Sequence, residues 1–301
     1  MFHWTYSVII SVAARLQRKA VDRIWIRPLF EGISHNATIL EIGGGYRPRF
    51  TKGEYPNVFH LDHATAEDLR KKYSNEPVAC DLVENIQPVD FVSDGSPIED
   101  LIPEELKFDV IFSSHAIEHQ VDLIGHFISI EKLLKVGGRV IMLIPDYRCT
   151  FDALRFPTVV GEAITVHRRG GKIHRGRQIF GHISRTIDVN PNRKVRSFDL
   201  AAAQFNWTLG EGLEATKRCD QPGAAYEDAH AWVFCPLSFR LLLLELYMLG
   251  YTCLQPTAVS YTYGNQFCAV LERDEPYAGS TVEKVHELER ERLTLSMALR
   301  H

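Results

Sequence analysis

The sequence lacks closely spaced cysteine pairs, internal repeats and low-complexity linkers. Its six cysteines are scattered, and none belongs to a C-x-x-C motif, so neither a disulfide framework nor a zinc knuckle is indicated. Isolated free thiols are typical of a reducing compartment, and we therefore expect a cytoplasmic protein.

Excess charge of one sign and long apolar runs are also missing. The 34 basic and 38 acidic residues give a net charge of −4, so we expect no nucleic-acid partner.

The apolar stretch 4–14 is shorter than the roughly 20 residues that cross a bilayer, and no basic residues precede it as in a secretory signal. It is interpreted as a helix that docks on the protein. Peripheral membrane contact is the alternative.

Short apolar runs alternate with helix-length segments from residue 37 onward, which indicates a mostly parallel α/β sheet. With 301 residues, 45% of them apolar, the chain can bury a core without covalent staples. Gly137 and Gly138 are expected to end the second predicted helix. Strands are predicted at 37–42, 57–61, 89–93, 109–113 and 138–144, helices at 65–73, 122–135 and 236–248, and a closing antiparallel hairpin at 252–262 and 265–273.

The predicted organisation is one doubly wound, seven-stranded domain with an insertion after strand five. The regular α/β pattern stops for about eighty residues after position 150, and this insertion is expected to carry substrate specificity. The predicted segments are 1–36 (N-terminal helical), 37–150 (ligand-binding core), 151–232 (insertion), 233–275 (end of the core) and 276–301 (C-terminal helix).

Three glycines, Gly43 to Gly45, directly follow the first predicted strand. Glycines let the backbone turn tightly and approach a ligand, and a following helix would aim its N–H groups at an anionic part. Asp62 ends the second strand, where an acid accepts hydrogen bonds from ribose hydroxyls. Asp94 ends the third strand, within reach of an adenine amine. Each aspartate alone also suits a turn or a cap, but together they predict a nucleotide-like ligand.

These residues resemble a known family. The stretches ILEIGGGY, FDVIFSSHAIEH (108–119) and LLKVGGRVIMLIPD (133–146), with Asp62 and Asp94, are similar to class I S-adenosylmethionine-dependent methyltransferases of the bacterial type 11 branch. The resemblance covers roughly residues 37–146. It implies a Rossmann-like sheet with a reversed seventh strand, which the predicted hairpin fits, and S-adenosylmethionine as the cofactor.

The resemblance assigns the cofactor to the carboxyl ends of the first four strands. The methionine part would lie at Glu41 and the glycines, the ribose at Asp62, and the adenine beside Asp94. Ser114 and His115 would line the floor from the end of strand four. The implied cofactor-binding residues are Glu41, Gly43, Gly44, Gly45, Asp62, Asp94 and Ser114.

One position departs from the family pattern. The third glycine of E-x-G-x-G-x-G falls at Arg47, and Pro48 follows it. We expect Pro48 to open the next helix and Arg47 to pair with the methionyl carboxylate, which leaves the path of the loop open. An NAD-linked Rossmann enzyme stays as an alternative, although its G-x-G-x-x-G motif would place glycine at position 48.

His115 and His119 follow strand four at helical spacing, so a helix there would put both on one face. A hydroxyl acceptor must lose a proton, for which histidine is the usual base, although alignment alone can drive methyl transfer. His119 is predicted as the base or an acceptor-orienting group, with His115 and Asp146 as further catalytic candidates. Packing or capping is the alternative for the histidines. A metal would need His182 or His230 as a third ligand, no spacing requires one, and no metal is assigned.

Acceptor binding is predicted at Tyr147 and Arg148, which leave strand five, and at His230, which returns from the insertion. Residues 167–177 (HRRGGKIHRGR) carry five basic side chains, and such a mobile loop suits a phosphorylated or anionic acceptor. A solvated surface loop is an equal alternative. Nucleic acid is disfavoured because no aromatic residues interleave with the charges.

The predicted reaction is methylation of an oxygen atom on a sugar or glycan intermediate. The acceptor class is implied by resemblance to chains of bacterial polysaccharide pathways. Methylation of a small metabolite or a lipid head group is the first alternative, and a non-catalytic cofactor-binding protein is the second. The sequence leaves the oligomeric state open.

Overall fold

The computed structural model describes residues 27–77, 79–188 and 203–300. The apolar stretch 4–14 lies outside the described residues. The chain divides into two compact units, Met1–Ser34 and His35–His301. The described part of the first unit includes the short helix α1, Arg27–Phe30. The second unit contains the sheet and all the residues predicted to form the functional site.

Seven strands form one sheet. They are β1 (Ile39–Ile42), β2 (Val58–Asp62), β3 (Phe91–Val92), β4 (Phe108–Ser114), β5 (Leu134–Pro145), β6 (Leu254–Val259) and β7 (Gln266–Arg273). Their order is β3-β2-β1-β4-β5-β7-β6. The pairs among β1 to β5 are parallel, whereas β7 pairs antiparallel with both β5 and β6. The predicted doubly wound, mostly parallel sheet with a reversed seventh strand is therefore confirmed.

Seven further helices belong to the described part of the second unit. They are α2 (Ala66–Tyr73), α3 (Leu123–Leu133), α4 (Val160–Arg169), α5 (Arg177–Arg185), α6 (Leu209–Cys219), α7 (Pro236–Met248) and α8 (Val282–Ala298). Their starts follow local chemistry: the Thr65 and Asp122 side chains accept from backbone N–H groups of the first turns of α2 and α3. Pro236 occupies the first turn of α7, where its missing N–H has no intrahelical partner.

The core lies on both faces of the central strands. Ile39 and Leu40 of β1 are fully buried, as expected for strands covered by helices on each side. Phe239 of α7 packs its ring against Phe127 of α3 and Phe267 of β7, with centroids 6.4 and 5.9 Å away. This packing makes the sheet a rigid frame from which the loops at its carboxyl edge project.

The connection from β1 to β2 contains turns and no helix, although residues 43–57 are described throughout. The expected helix opening at Pro48 is therefore wrong. Pro48 disfavours helical geometry at Arg47, and the Glu41 carboxylate accepts hydrogen bonds from the N–H groups of Arg49 and Phe50 at 2.7 and 2.9 Å. These bonds hold the segment as a compact turn.

Gly137 and Gly138 do not end the preceding helix, as the sequence had indicated. That helix, α3, ends at Leu133, and both glycines lie inside β5 where its register against β4 shifts. Gly137 has a φ of +74°. A Cβ at Gly138 would lie 3.0 Å from the carbonyl oxygen of Phe108, so the second glycine permits the close approach of the two strands.

The insertion is more regular than predicted, because its described part contains α4, α5 and α6. A small apolar cluster holds α5 and α6 together, and a capping box between Thr208 and Glu211 starts α6. The segment 167–177 is likewise no continuous loop, since it begins as the last turn of α4 and ends at the first residue of α5. The cluster comprises Ile179, Ala215, Cys219 and Ala229.

The C-terminal helix α8 packs along α7, where Arg292 pairs with Glu245 at 3.0 Å and Arg240 with Glu291 at 2.9 Å.

All six cysteines are free thiols, as predicted. Among the described residues, the helices are too short or too polar to cross a membrane.

Candidate functional site

The predicted site residues lie at the carboxyl edge of the sheet. Strand order reverses between β1 and β4, which are neighbours in space although two strands separate them along the chain. Ligands of open α/β sheets bind outside the strand ends at such a switch point. The carboxyl ends of β1, β2, β4 and β5 therefore lie close together at the same edge of the sheet.

The glycine loop turns sharply at the end of β1. Gly43 and Gly45 have φ values of +72° and +48°, a region that side chains other than glycine rarely adopt. The N–H of Gly43 donates to the carbonyl of Leu61 at 2.9 Å, and the N–H of Gly45 donates to Asp62 Oδ2 at 3.1 Å. A Cβ at Gly43 would lie 3.2 Å from the Cβ of Ala116, so the loop lies directly against the segment after β4.

Glu41 lies beneath this loop and is 1% exposed. Both of its carboxylate oxygens accept backbone hydrogen bonds from residues 49 and 50. Burial raises the pKa of Glu41 to about 7, partly opposed by these two hydrogen bonds. The contacts made by Glu41 in this structure hold the loop in place, and its predicted part in cofactor binding stays a prediction.

Asp62 ends β2 with a nearly buried carboxylate. Besides the bond from Gly45, Oδ1 accepts from the backbone N–H of His63 at 2.8 Å and pairs with its ring Nδ1 at 2.7 Å. A carboxylate offers about four acceptor positions. One position therefore remains on Oδ2 for a ligand hydroxyl, at the place where the sequence predicted ribose binding.

Asp94 lies two residues beyond β3 on an exposed turn. Its Oδ1 accepts from the N–H of Ser96 at 2.9 Å, and its Oδ2 pairs with Lys172 Nζ at 2.9 Å. A Cβ at Gly95 would lie 2.5 Å from the carbonyl oxygen of Lys172. The insertion thus packs tightly against this turn, a contact that the sequence did not predict.

His115 and His119 do not share a helical face, which corrects that expectation. His115 follows Ser114, the last residue of β4, with a φ of +50°, and a short 3₁₀ turn, Ile117–His119, comes next. The left-handed residue reverses the chain, so Nε2 of His115 meets Oε1 of Gln266 on β7 at 2.7 Å. His119 instead faces the insertion.

The turn after β4 brings three ligand-type side chains together. Glu118, His119 and His230 each offer one atom of a set that lies within 4.8 Å of one another. The His119 and His230 rings are perpendicular, with centroids 4.7 Å apart. Both histidines are predicted from the sequence and Glu118 is not, although its position between two candidate histidines and next to a strand end was an available signal.

A carboxylate contacts the Nδ1 atom of each of these two histidines. Nδ1 of His119 lies 2.8 Å from Asp228 Oδ1, and Nδ1 of His230 lies 2.6 Å from Asp152 Oδ2. Burial lowers the pKa of His119, but the hydrogen bond to Asp228 and the charge of Glu118 outweigh it, so the pKa is raised. Neither aspartate is predicted from the sequence, because the two are 76 residues apart and only the folded insertion brings them together.

Asp146 is completely buried at the end of β5. Its Oδ1 accepts from Arg148 Nε at 2.9 Å, its Oδ2 from Arg148 Nη2 at 2.6 Å, and Thr262 also donates to Oδ2. This bidentate pair uses the carboxylate to orient Arg148, so the geometry favours a positioning role for Asp146 over its predicted role as a base. Tyr147 is half-buried, and burial raises its pKa.

Most of the basic side chains of residues 167–177 form ion pairs or hydrogen bonds with other residues of the chain. Lys172 pairs with Asp94, and Arg177 pairs with Glu162. Arg175 donates to the carbonyl of Asp220 at 3.1 Å, and Arg169 donates to Gln178 at 3.0 Å. These contacts anchor the insertion, and binding of a phosphorylated or anionic acceptor by this segment stays a prediction.

No protein-family model matches the chain, and no curated protein matches it. Among solved structures it is similar to the mitomycin 7-O-methyltransferase MmcR, with 12% identity, 80% of this chain and 50% of that chain covered, and a TM-score of 0.37. The CcbJ methyltransferase from Streptomyces caelestis is 13% identical, with 79% of this chain and 89% of that chain covered and a TM-score of 0.37. The glycopeptide N-methyltransferase MtfA is 12% identical, with 86% of this chain and 90% of that chain covered and a TM-score of 0.39.

These similarities are weak, and the chain spans half the length of the mitomycin enzyme. The strand order and the antiparallel β7 define the architecture independently of them. The chain has a Rossmann-like, doubly wound sheet of seven described strands, in which β7 is antiparallel to β5 and β6.

Proposed function

We propose that this protein is an S-adenosylmethionine-dependent methyltransferase that methylates an oxygen atom of a small-molecule acceptor, with a sugar or glycan hydroxyl as the first class. One observation carries the proposal. The left-handed glycine loop after β1 is hydrogen-bonded to Asp62 at the end of β2. It also runs so close to Ala116 that a Cβ at Gly43 would lie 3.2 Å from the Ala116 Cβ, and Ala116 directly precedes the turn that carries Glu118 and His119.

The residues on the donor side fit this cofactor. Asp62 retains an acceptor position for a ribose hydroxyl, and Gly43 and Gly45 have no side chains that would keep a ligand away from the loop backbone. When bound, S-adenosylmethionine supplies a methyl group on a positively charged sulfur. The carboxylates of Asp62 and Glu118 give this edge of the sheet a negative character that suits such a charge.

On the acceptor side, Asp228 Oδ1 accepts from Nδ1 of His119, and in the neutral imidazole Nε2 then carries the lone pair. Nε2 points toward Oε1 of Glu118, 3.9 Å away. A hydroxyl held at this cluster would lie next to basic atoms that favour loss of its proton. The guanidinium of Arg148, fixed by Asp146, is an exposed group available to an acceptor oxygen.

The donor site is tested by calorimetric titration with S-adenosylmethionine, S-adenosylhomocysteine and NAD. The wild type should bind both sulfur compounds, and Asp62→Ala should weaken them about 10–100-fold, because a charge-assisted hydrogen bond contributes about 1.5–3 kcal/mol. Asp100→Ala, at an exposed aspartate, is the matched control and should bind as the wild type does. Circular dichroism of each variant verifies that it is folded.

Each result has a distinct meaning. Absence of binding by the wild type would overturn the donor site, and NAD binding instead would favour a dinucleotide enzyme. Cofactor binding without turnover on nucleotide sugars, glycans, metabolites or lipid head groups would favour a non-catalytic binding protein. Transfer of a labelled methyl group to a hydroxyl of one acceptor would support the full proposal.

A further inference from the structure

Glu118 lies in an environment that calls for a cation. It is 1% exposed, and neither carboxylate oxygen has a hydrogen-bond partner among the described residues. An ionised carboxylate without a partner is costly to bury, so such groups are normally paired or bound to a metal. Two imidazoles face it, with Nδ1 of His115 at 3.8 Å and Nε2 of His119 at 3.9 Å from Oε1.

The two histidines of the cluster are oriented as metal-binding histidines are. Asp228 accepts from Nδ1 of His119, and Asp152 accepts from Nδ1 of His230. A carboxylate bonded to one ring nitrogen fixes the tautomer and raises the basicity of the other nitrogen. Each Nε2 is therefore left with its lone pair.

Other charges around the cluster also favour a cation. Asp152 and Asp228 add negative charge, whereas Arg155 is paired with Asp152 at 2.9 Å and offsets part of it. His182 lies beside His230, with ring centroids 5.8 Å apart, and stays outside the ligand-type set. The set consists of Glu118, His119 and His230, from two distant parts of the chain.

We propose that Glu118, His119 and His230 bind a divalent first-row transition metal, best represented by zinc, in an open site with room for an acceptor hydroxyl. Two imidazoles and one carboxylate match the open sites of catalytic zinc. An all-oxygen ligand set would be needed to favour magnesium or calcium.

The catalytic use of the metal rests on the proposed function, whereas metal binding does not. A metal polarises an oxygen that it contacts and lowers the pKa of that hydroxyl. Because Glu118 and the histidines would then hold the metal and would not act as bases, the hydroxyl would release its proton to solvent, and an oxygen lone pair would form the new bond to the methyl carbon. The bond from that carbon to sulfur breaks, and sulfur keeps the electron pair.

The test measures metal binding directly. Chelator-treated full-length protein is titrated with zinc by calorimetry, and with cobalt(II) while the visible absorption is followed. We expect one equivalent to bind, and at least 100-fold weaker binding by Glu118→Gln and by His230→Gln. His182→Gln replaces a neighbouring histidine outside the set and should keep the wild-type affinity.

Thermal unfolding gives a second readout that a merely structural role would not produce. Without metal, Glu118→Gln should be at least as stable as the wild type, because it removes a buried negative charge that accepts no hydrogen bond from the described residues. Added zinc should raise the melting temperature of the wild type and leave that of the variant unchanged. Zinc binding that is absent from the wild type, or equal in wild type, Glu118→Gln and His230→Gln, would overturn the proposal.

The same samples separate this proposal from the proposed function. If zinc binds as expected and S-adenosylmethionine does not, the metal site stands and the donor site fails. If S-adenosylmethionine binds to the wild type and to Glu118→Gln alike while no sample binds zinc, the metal site fails alone.

Discussion

At the scale of single residues, the candidate site contains several histidines whose rings are paired with carboxylates. His63 pairs with Asp62, His119 with Asp228, and Asp152 with His230, each through Nδ1. For His119 and His230 the carboxylate fixes the ring and leaves Nε2 for other contacts, whereas Nε2 of His63 lies 3.3 Å from Nζ of Lys72. The chemistry of the site therefore depends on orientation as much as on residue type.

The burial of Glu41 makes a pH-dependent prediction. Its pKa is about 7 in the folded protein against an ordinary 4.5, so between these values the native state holds a proton that the unfolded chain has released. Unfolding then releases a proton, and stability falls as pH rises through this window. We expect Glu41 to account for a loss of about 2–3 kcal/mol between pH 4.5 and 8, measured by urea unfolding.

The variant Glu41→Gln should lack this part of the pH dependence. At pH 5 it should be less stable than the wild type, because one backbone donor loses an acceptor. That difference should shrink as pH rises to 8. Glu54→Gln, at an exposed glutamate of the same loop, is the control and should follow the wild type. A pH-independent difference between Glu41→Gln and the wild type would contradict the assignment.

At the scale of elements, the turn between β1 and β2 distinguishes this protein from the expected pattern. A helix after the glycines would aim N–H groups at a ligand, but here Glu41 takes two N–H groups of the turn for itself. The loop must then be held by its own bonds to β2, through Leu61 and Asp62. Its shape depends on the left-handed glycines.

Gly43→Ala tests this dependence. The left-handed φ costs a non-glycine residue about 1–2 kcal/mol, and the new Cβ would also crowd Ala116 at 3.2 Å. We expect a loss of about 1–3 kcal/mol in the free energy of unfolding, with weaker binding of S-adenosylmethionine. Gly53→Ala is the matched control, since its Cβ would meet no atom within 4 Å. Equal stability of the two variants would refute this account of the loop.

At the scale of the whole molecule, the insertion completes the site that the sheet begins. Arg155 donates to the carbonyl oxygens of His230 and Ala231. His174 is fully buried, and its ring nitrogens lie 3.0 Å from the carbonyl oxygens of Glu227 and His119. The proposed acceptor side therefore depends on the folded insertion, whereas the proposed donor side depends on the sheet.

Cofactor binding should consequently stabilise the fold as a whole. Ligand at 100 times its dissociation constant adds about 2.7 kcal/mol to the free energy of unfolding. For a domain of this size each kcal/mol raises the melting temperature by about 2–4 °C. We expect this rise with S-adenosylmethionine in the wild type and, at the same concentration, a smaller rise in Asp62→Ala. An equal rise in both proteins would place the ligand elsewhere.

The sequence by itself determined the strands, α2, α3, α7, the hairpin and the fold class, because apolar periodicity and turn residues act locally. It also placed Gly43, Gly45 and Asp62 correctly at the strand ends. The tertiary structure alone decided that no helix follows the glycines, and that His115 pairs with Gln266 of β7 whereas His119 pairs with Asp228 of the insertion. It alone brought Glu118 and His119 together with His230 and the two aspartates. Contacts between residues so far apart in the chain depend on how the insertion packs, which no local pattern encodes.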